Sequence, residues 1–305
     1  MKNVSSVRPI LAALFAISLL SIMDAMIKDV RVDLSSPQTV FLRYAVGAAT
    51  VLPFLPMILR RGLNWQSINV NGIRAVTMLV TALLFFFAIG RLPLAYAVAL
   101  AFSAPIWMTF MGTFMLKEPP TRIAIVAIAS GFIGVLVMVI GPRLDGGLVA
   151  PDLVGACAAL AASVTYALAM ILTRKQSARD TVSTMITLQT LIAFVLAAPF
   201  AAMVWEPIPD GRWQQLIMIG TLGTIGHLSL AYAFSTATAA RLAPAEYTSL
   251  VWAGVLGFFI FNEIPSIWTL VGAAVIAGAC ALVMLEKPSP ETHSDNSPTD
   301  PLPKK

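Results

Sequence analysis

The chain has 305 residues, of which 58% are hydrophobic and only 11% charged, with a mean hydropathy of +0.84. A water-soluble domain of this length carries about a quarter charged residues, so the composition argues against a soluble domain and points to lipid as the solvent. The net charge of +5 is scattered over short stretches rather than gathered on one face, which argues against a nucleic-acid partner.

About 20 apolar residues cross a hydrocarbon core of roughly 30 Å. In chain order, runs of that length occupy Pro9–Ile27, Gln38–Leu59, Gly72–Gly90, Leu94–Leu116, Thr121–Ile140, Asp152–Leu172, Ser183–Met203, Trp213–Phe234, Arg241–Phe261 and Ser266–Met284. They are the first to tenth spans below. Continuous apolar runs without period-two alternation are helices, not barrel strands. The first run has no small-residue cleavage site and is long enough to span, so a retained helix is expected. The last residues, 286–305, are Pro-rich and polar and predict a disordered cytoplasmic tail.

An internal repeat organises the spans. At an offset of 145 residues Trp107 falls on Trp252, Glu118 on Glu263 and Pro120 on Pro265. The halves are residues 1–145 and 146–285, with five spans each. An odd number of spans per half forces the halves to enter the membrane from opposite sides. The expected fold is an all-α integral membrane protein with ten transmembrane helices as two inverted five-helix repeats. Such repeats are a hallmark of secondary transporters, whose solute site lies near the midplane between the repeats. With both termini in the cytoplasm, 14 Lys and Arg residues face that side and 5 the other, which follows the positive-inside rule. Arg74, near the start of the third span, is counted among the 14, and Arg43 is left inside a helix.

Intramembrane ionisable groups are the candidate functional residues. Counting about 1.5 Å per residue places Glu246, His227 and Gln189 in one layer near the cytoplasmic side. Asp24 and Arg43 fall in a second layer about 13–15 Å away. Glu246 is the candidate coupling or substrate-binding carboxylate, with His227 as an assistant; the structural alternative for each is an interhelical hydrogen bond. Arg43 with Asp24 reads either as a pinning ion pair or as a clamp for a carboxylate, and Lys28 competes for Asp24. Trp107 and Trp252 read either as facing walls of a central cavity, able to stack on a ligand, or as ordinary packing. Glu118 and Glu263, each beside Pro and a Ser or Thr at a helix exit, are expected to hold a turn. The glycines of "IGTLGTIG" are expected to let helices approach closely.

The stretches "RLPLAYAVALAFSAPIWMTFMGTFMLKEPPT" and "RLAPAEYTSLVWAGVLGFFIFNEIPSIWTLVGAAVIAGA" resemble the two signature regions of the EamA family in the drug/metabolite transporter superfamily. The resemblance covers residues 9 to 284. It implies a ten-helix carrier of small metabolites in the bacterial inner membrane, with the first, third, fourth, sixth, eighth and ninth spans lining the site.

The expected function is export of a small organic metabolite, such as an amino acid or its derivative, by alternating access with proton coupling. The alternatives are uptake of a cofactor or nucleoside-like metabolite, of the S-adenosylmethionine or riboflavin type, and a lipid-linked substrate flippase. The expected partners are the small-molecule substrate, the lipid bilayer and a second copy in a homodimer. No phosphate-binding glycine loop, HExxH, Cys–His cluster or GxSxG occurs, so no cofactor, metal or enzymatic activity is expected.

Overall fold

The computed structural model describes residues 8–60, 65–115, 122–144, 152–176, 179–236 and 248–285. Among them every regular element is helical. In chain order these are α1 (Arg8–Val30), α2 (Ser36–Val51), a 3₁₀ turn (Leu52–Phe54), α3 (Leu55–Arg60), α4 (Trp65–Ile89), α5 (Leu94–Ala101) and α6 (Ala104–Met115). There follow α7 (Arg122–Leu144), α8 (Leu153–Gln176), α9 (Val182–Met203), α10 (Arg212–Thr236), α11 (Thr248–Phe261) and α12 (Ile267–Leu285). Seven stretches among the described residues are long and apolar enough to cross a membrane, and the apolar stretches Thr248–Phe261 and Ile267–Ala279 are shorter. Large side chains such as Leu11, Phe15, Val195 and Phe259 stay exposed on the outside, as a helix bundle surrounded by lipid requires.

Three local departures from the sequence expectation matter. The helix expected from Gly72 begins at Trp65, so Arg74 sits well inside α4 and not at its start. The fourth span is broken: α5 stops at Ala101 and α6 starts at Ala104. Pro105 has no N–H to return to the Ala101 carbonyl, and the chain tightens there through Ser103 N–H donating to Leu100 O at 3.1 Å. The ninth span is described only from Thr248 onward.

Polar side chains set the helix starts. Ser35 caps α2 by accepting from Gln38 N–H, and Thr181 caps α9 by accepting from Thr184 N–H, each at 3.4 Å. Ser266 accepts from Thr269 N–H at 3.1 Å and caps α12. At the end of α11, Asn262 takes a left-handed backbone with φ of 54°. Asparagine tolerates that conformation better than most residues, and it turns Glu263 back toward α1.

The packing pairs helices across the two halves. α1 lies on α10 and α8 on α4; α10 also packs on α2 and α4 on α9; α6 lies on α8 and α11 on α1. α2 packs on α9, α5 on α11 and α7 on α12. Small residues make this closeness possible. A Cβ on Gly134 of α7 would stand 2.9 Å from the Gly272 carbonyl oxygen of α12, and that backbone cannot yield.

Gly134→Val should therefore lower stability by about 1–3 kcal/mol, the usual cost of overpacking. Gly254→Ala, where an added Cβ meets nothing within 4 Å, should cost nothing. Thermal unfolding of the detergent-solubilised variants checks both.

Candidate functional site

Two polar clusters lie at opposite ends of α4, and a cavity lies between them. The first joins the start of α4 to the end of α8 and the start of α9. Arg74, only 2% exposed, is satisfied on every side. Its Nε donates to Thr173 Oγ1 at 2.9 Å, Nη1 to Asn71 Oδ1 at 2.7 Å and Nη2 to Gln189 Oε1 at 2.8 Å. Asp180 faces the same cluster and accepts from Ser67 at 2.5 Å, Gln176 at 2.6 Å and Asn71 at 2.7 Å. Burial raises the pKa of Asp180, but these hydrogen bonds and the Arg74 charge outweigh it, holding the carboxyl below its ordinary 3.8. Sequence counting missed this cluster because Arg74 was counted with the cytoplasmic-side cations. Asn71 and Arg74, three residues apart on one helix face, were the signal available.

The second cluster gathers the end of α1, the α4–α5 turn, the start of α10 and the end of α11. Lys28 Nζ pairs with Glu263 Oε1 at 2.7 Å, and both side chains are largely buried. Lys28 also donates to the carbonyls of Ile89 and Leu92, while Glu263 Oε2 accepts from Leu94 N–H at 2.7 Å. Glu263 plays a structural part, as expected, but it ties the α4–α5 turn to α1 and not the turn at its own helix exit. Lys28 is thereby taken out of competition for Asp24. Arg212 adds ion pairs to Asp29 and Asp33, each at 2.5 Å. Beside it Arg91 donates to Asp152 Oδ2 at 2.6 Å, and this bond foremost holds the Asp152 carboxyl below its ordinary value.

The cavity between the clusters has a volume of about 270 Å³. It is lined from α1, α2, α4, α5, α6, α8, α10 and α11. All six spans expected to line the site contribute, and α2 is added through Arg43 and Tyr44. The break between α5 and α6 opens onto it through Ala101, Phe102 and Ala104. Ser103 beneath is satisfied by Leu100 O at 2.7 Å and by the Ser163 hydroxyl at 2.8 Å.

Three of the candidate residues meet here. Asp24, Arg43 and His227 all line the cavity. This corrects the two-layer reading, in which His227 and Gln189 shared a layer apart from Asp24 and Arg43. Arg43 Nη2 lies 3.5 Å from His227 Nδ1, while Gln189 is occupied by Arg74. Counting residues locates a Cα, whereas an arginine head reaches several ångströms along a neighbouring helix. Its track is the glycine face of α10: a Cβ on Gly220 would sit 3.0 Å from Arg43 O, and one on Gly223 3.0 Å from Arg43 Nε. These glycines do permit close approach, as expected, and also admit a charged side chain. His227 Nδ1 lies 2.7 Å from Gly223 O. A carbonyl oxygen only accepts, so Nδ1 carries the proton and the Arg43 contact is not a hydrogen bond. The guanidinium instead lies over the rings of Tyr44 and Phe86, 4.8 and 5.8 Å from their centres. Arg43 and Asp24 form no ion pair with each other.

Trp107 and Trp252 do not line the cavity; the neighbouring Met108 and Ala253 do. One residue along a helix turns a side chain by about 100°. Trp252 packs against Ala13, Ile17 and Ala233, and Trp107 has a buried Nε1 without a hydrogen-bond partner among the described residues. Glu246 and Glu118 lie outside the described residues. No group of three or more potential metal ligands occurs among the described residues.

A family model described as the EamA-like transporter family matches residues 7–140 and again 153–285. The chain belongs to the EamA-like transporter family. It is 24% identical over 264 residues to an S-adenosylmethionine uptake transporter of Rickettsia prowazekii (strain Madrid E), covering 87% of this chain and 88% of that one. It is 27% identical over 278 residues to the pseudopaline exporter CntI of Pseudomonas aeruginosa (strain UCBPP-PA14), covering 89% and 94%. A riboflavin transporter of Vibrio cholerae is 24% identical over 259 residues, covering 84% and 85%. A solved crystal structure with 19% sequence identity superposes with a TM-score of 0.62 over 91% of this chain and 97% of that one, a likeness of fold. EamA membership and the apolar helices make this a multi-pass membrane protein of the drug/metabolite transporter class, with relatives named as transporters and not as enzymes.

Arg74→Met should leave the Asn71 and Gln189 oxygens buried without donors, each costing about 1–3 kcal/mol. The detergent-solubilised variant should melt well below the wild type. The contribution of Asp180 is complete above the ordinary carboxylate range and is lost as the pH falls through its depressed folded value. Melting temperature should therefore drop on acidification below about pH 4, and Asp180→Asn should flatten that drop.

Proposed function

We propose that this protein is a secondary active transporter that carries a small organic metabolite across the bacterial inner membrane by alternating access. Its ten spans would form two inverted five-helix repeats, residues 1–145 and 146–285, with both termini in the cytoplasm. The observation that carries this reading is the cavity lined by helices of both halves, with a polar cluster toward each end. Alternating access needs such a pair of closures, one loosened while the other holds.

The packing supports the repeat. Swapping the halves exchanges α1 on α10 with α8 on α4, α10 on α2 with α4 on α9, and α6 on α8 with α11 on α1. The pairs α2 with α9, α5 with α11 and α7 with α12 map onto themselves. Helices α1 and α8 begin 145 residues apart, and the caps Ser35 and Thr181 are 146 apart. Under the positive-inside assignment, the Arg74–Asp180 cluster faces the cytoplasm and the Lys28–Glu263 cluster faces outward.

An amino-acid-derived solute moving outward is the primary reading, with Glu246 as the proton-coupling carboxylate. Uptake of a preformed cofactor-like metabolite is the second, favoured by the names of the Rickettsia and Vibrio relatives.

The test has two arms. Metabolite levels compared between cells over- and under-expressing the protein should single out a solute. That solute should then exchange by counterflow in proteoliposomes, and Asp24→Asn should slow the exchange at least tenfold. For the inverted arrangement, cysteines placed at Asp145 and Asp295, after Cys157 and Cys280 are replaced, should react with an impermeant thiol reagent from opposite faces. Labelling of both from one face would overturn the repeat.

A further inference from the structure

Two arginines lie inside the bundle at corresponding crossings. Arg74 is held where α4 crosses α9, and Arg43 where α2 crosses α10. Exchange of the halves turns one crossing into the other. Their surroundings differ completely. Arg74 donates to three oxygens and has Asp180 beside it. Arg43 is 9% exposed, yet its Nε is buried without a hydrogen-bond partner. Its neighbour His227 offers a protonated nitrogen, and the faces of Tyr44 and Phe86 supply quadrupoles but no counter-charge.

Asp24 is in the complementary condition. It faces the same cavity from α1 and has no ion-pair or hydrogen-bond partner among the described residues. Lys28, one turn further along α1, is bound to Glu263 instead. Two opposite charges thus border one small cavity without touching. If they served only each other, closure of the gap would gain Coulomb energy in a low-dielectric site. Arg43 lies along the Gly220–Gly223 track of α10, and Met23 also lies against Gly223.

We propose that Arg43 and Asp24 form a split recognition pair, Arg43 binding the anionic group of a solute and Asp24 its cationic group. The cavity then selects compact molecules that carry both, and Gly223 is the positioning residue that sets where the guanidinium stands. The proposal rests on the reading of this cavity as the transport site. A carboxylate fits the planar fork of Arg43, which offers paired N–H donors. Met78, Phe85, Phe102, Met108 and Leu230 supply apolar lining that suits a short aliphatic or thioether body, beside the hydroxyl-bearing Ser21, Thr81, Ser163, Tyr166 and Ser249. A solute with both charges leaves neither buried ion unpaired, whereas one with a single charge leaves the other exposed to the full desolvation cost.

The experiment uses three matched probes on the purified full-length protein: L-methionine, 3-(methylthio)propylamine and 4-(methylthio)butanoate. They share the thioether and differ in charge. At the same millimolar concentration, methionine should raise the melting temperature by about 2 °C or more, and neither single-charge probe should do so. Equal stabilisation by the amine or the acid, or no shift with any of the three, overturns the proposal.

Arg43→Lys keeps the charge and loses the fork, and should weaken methionine at least about tenfold. Gly223→Ala is helix-favouring but places a methyl 2.8 Å from Met23 Sδ, a flexible thioether that can shift, and 3.0 Å from Arg43 Nε. It should weaken methionine binding while the ligand-free melting temperature holds, a split that a merely structural glycine would not produce. Unchanged methionine affinity in Gly223→Ala removes the positioning role. Methionine binding without counterflow of any metabolite defeats the transporter reading and leaves this site standing, whereas counterflow indifferent to the charge pair does the reverse.

Discussion

Lipid supplies neither counter-ions nor water, so every ionised group inside the bundle must be matched by the protein or face a wet space. That constraint sorts the charges of this chain. Lys28, Asp29, Asp33, Arg212 and Glu263 are drawn to one end and form ion pairs with one another. Arg74 and Asp180 are matched at the other, within a network of neutral donors and acceptors. Asp24 and Arg43 both border the cavity, and neither forms an ion pair among the described residues. A satisfied buried ion is architecture, and an unsatisfied one invites a ligand.

The apolar side of the design follows from the same solvent. Hydrophobic burial gives little drive for one helix to choose another in lipid, so close backbone approach and polar contacts decide the pairings. The glycines of α7 let α12 lie against it at backbone distance. The glycines of α10 accept Arg43 and Met23 between helices. The break between α5 and α6 places its irregular backbone beside the cavity, where the Ser103 hydroxyl lies within hydrogen-bonding distance of the Leu100 carbonyl and the Ser163 hydroxyl. Non-helical backbone at membrane depth is tolerated only in such surroundings. A carrier needs weak points of this kind, because a continuous helix does not bend at its middle without cost.

Much of the architecture was legible in the chain itself. The ten apolar runs all overlap described helix, the fourth with a break and the ninth only from Thr248 onward, because run length and the absence of alternation leave little freedom in lipid. The structural part of Glu263 was also readable, since a carboxylate at a helix exit beside Pro and Ser has few other uses. The site was legible only in part. Asp24, Arg43 and His227 stood out as ionisable residues within apolar runs, and the cavity does collect them. Trp107 and Trp252, conspicuous by their spacing, turn out to sit one helical step away from its lining.

Composition and periodicity therefore determined the solvent, the helical class and the small set of buried charges, since these depend on local sequence alone. Tertiary structure decided which charges pair. Lys28 chose Glu263 over Asp24, Gln189 went to Arg74, and Arg43 reached His227 along a glycine groove. Those choices hinge on helix rotation and side-chain reach between segments distant in the chain, and no count of residues along one helix contains either quantity.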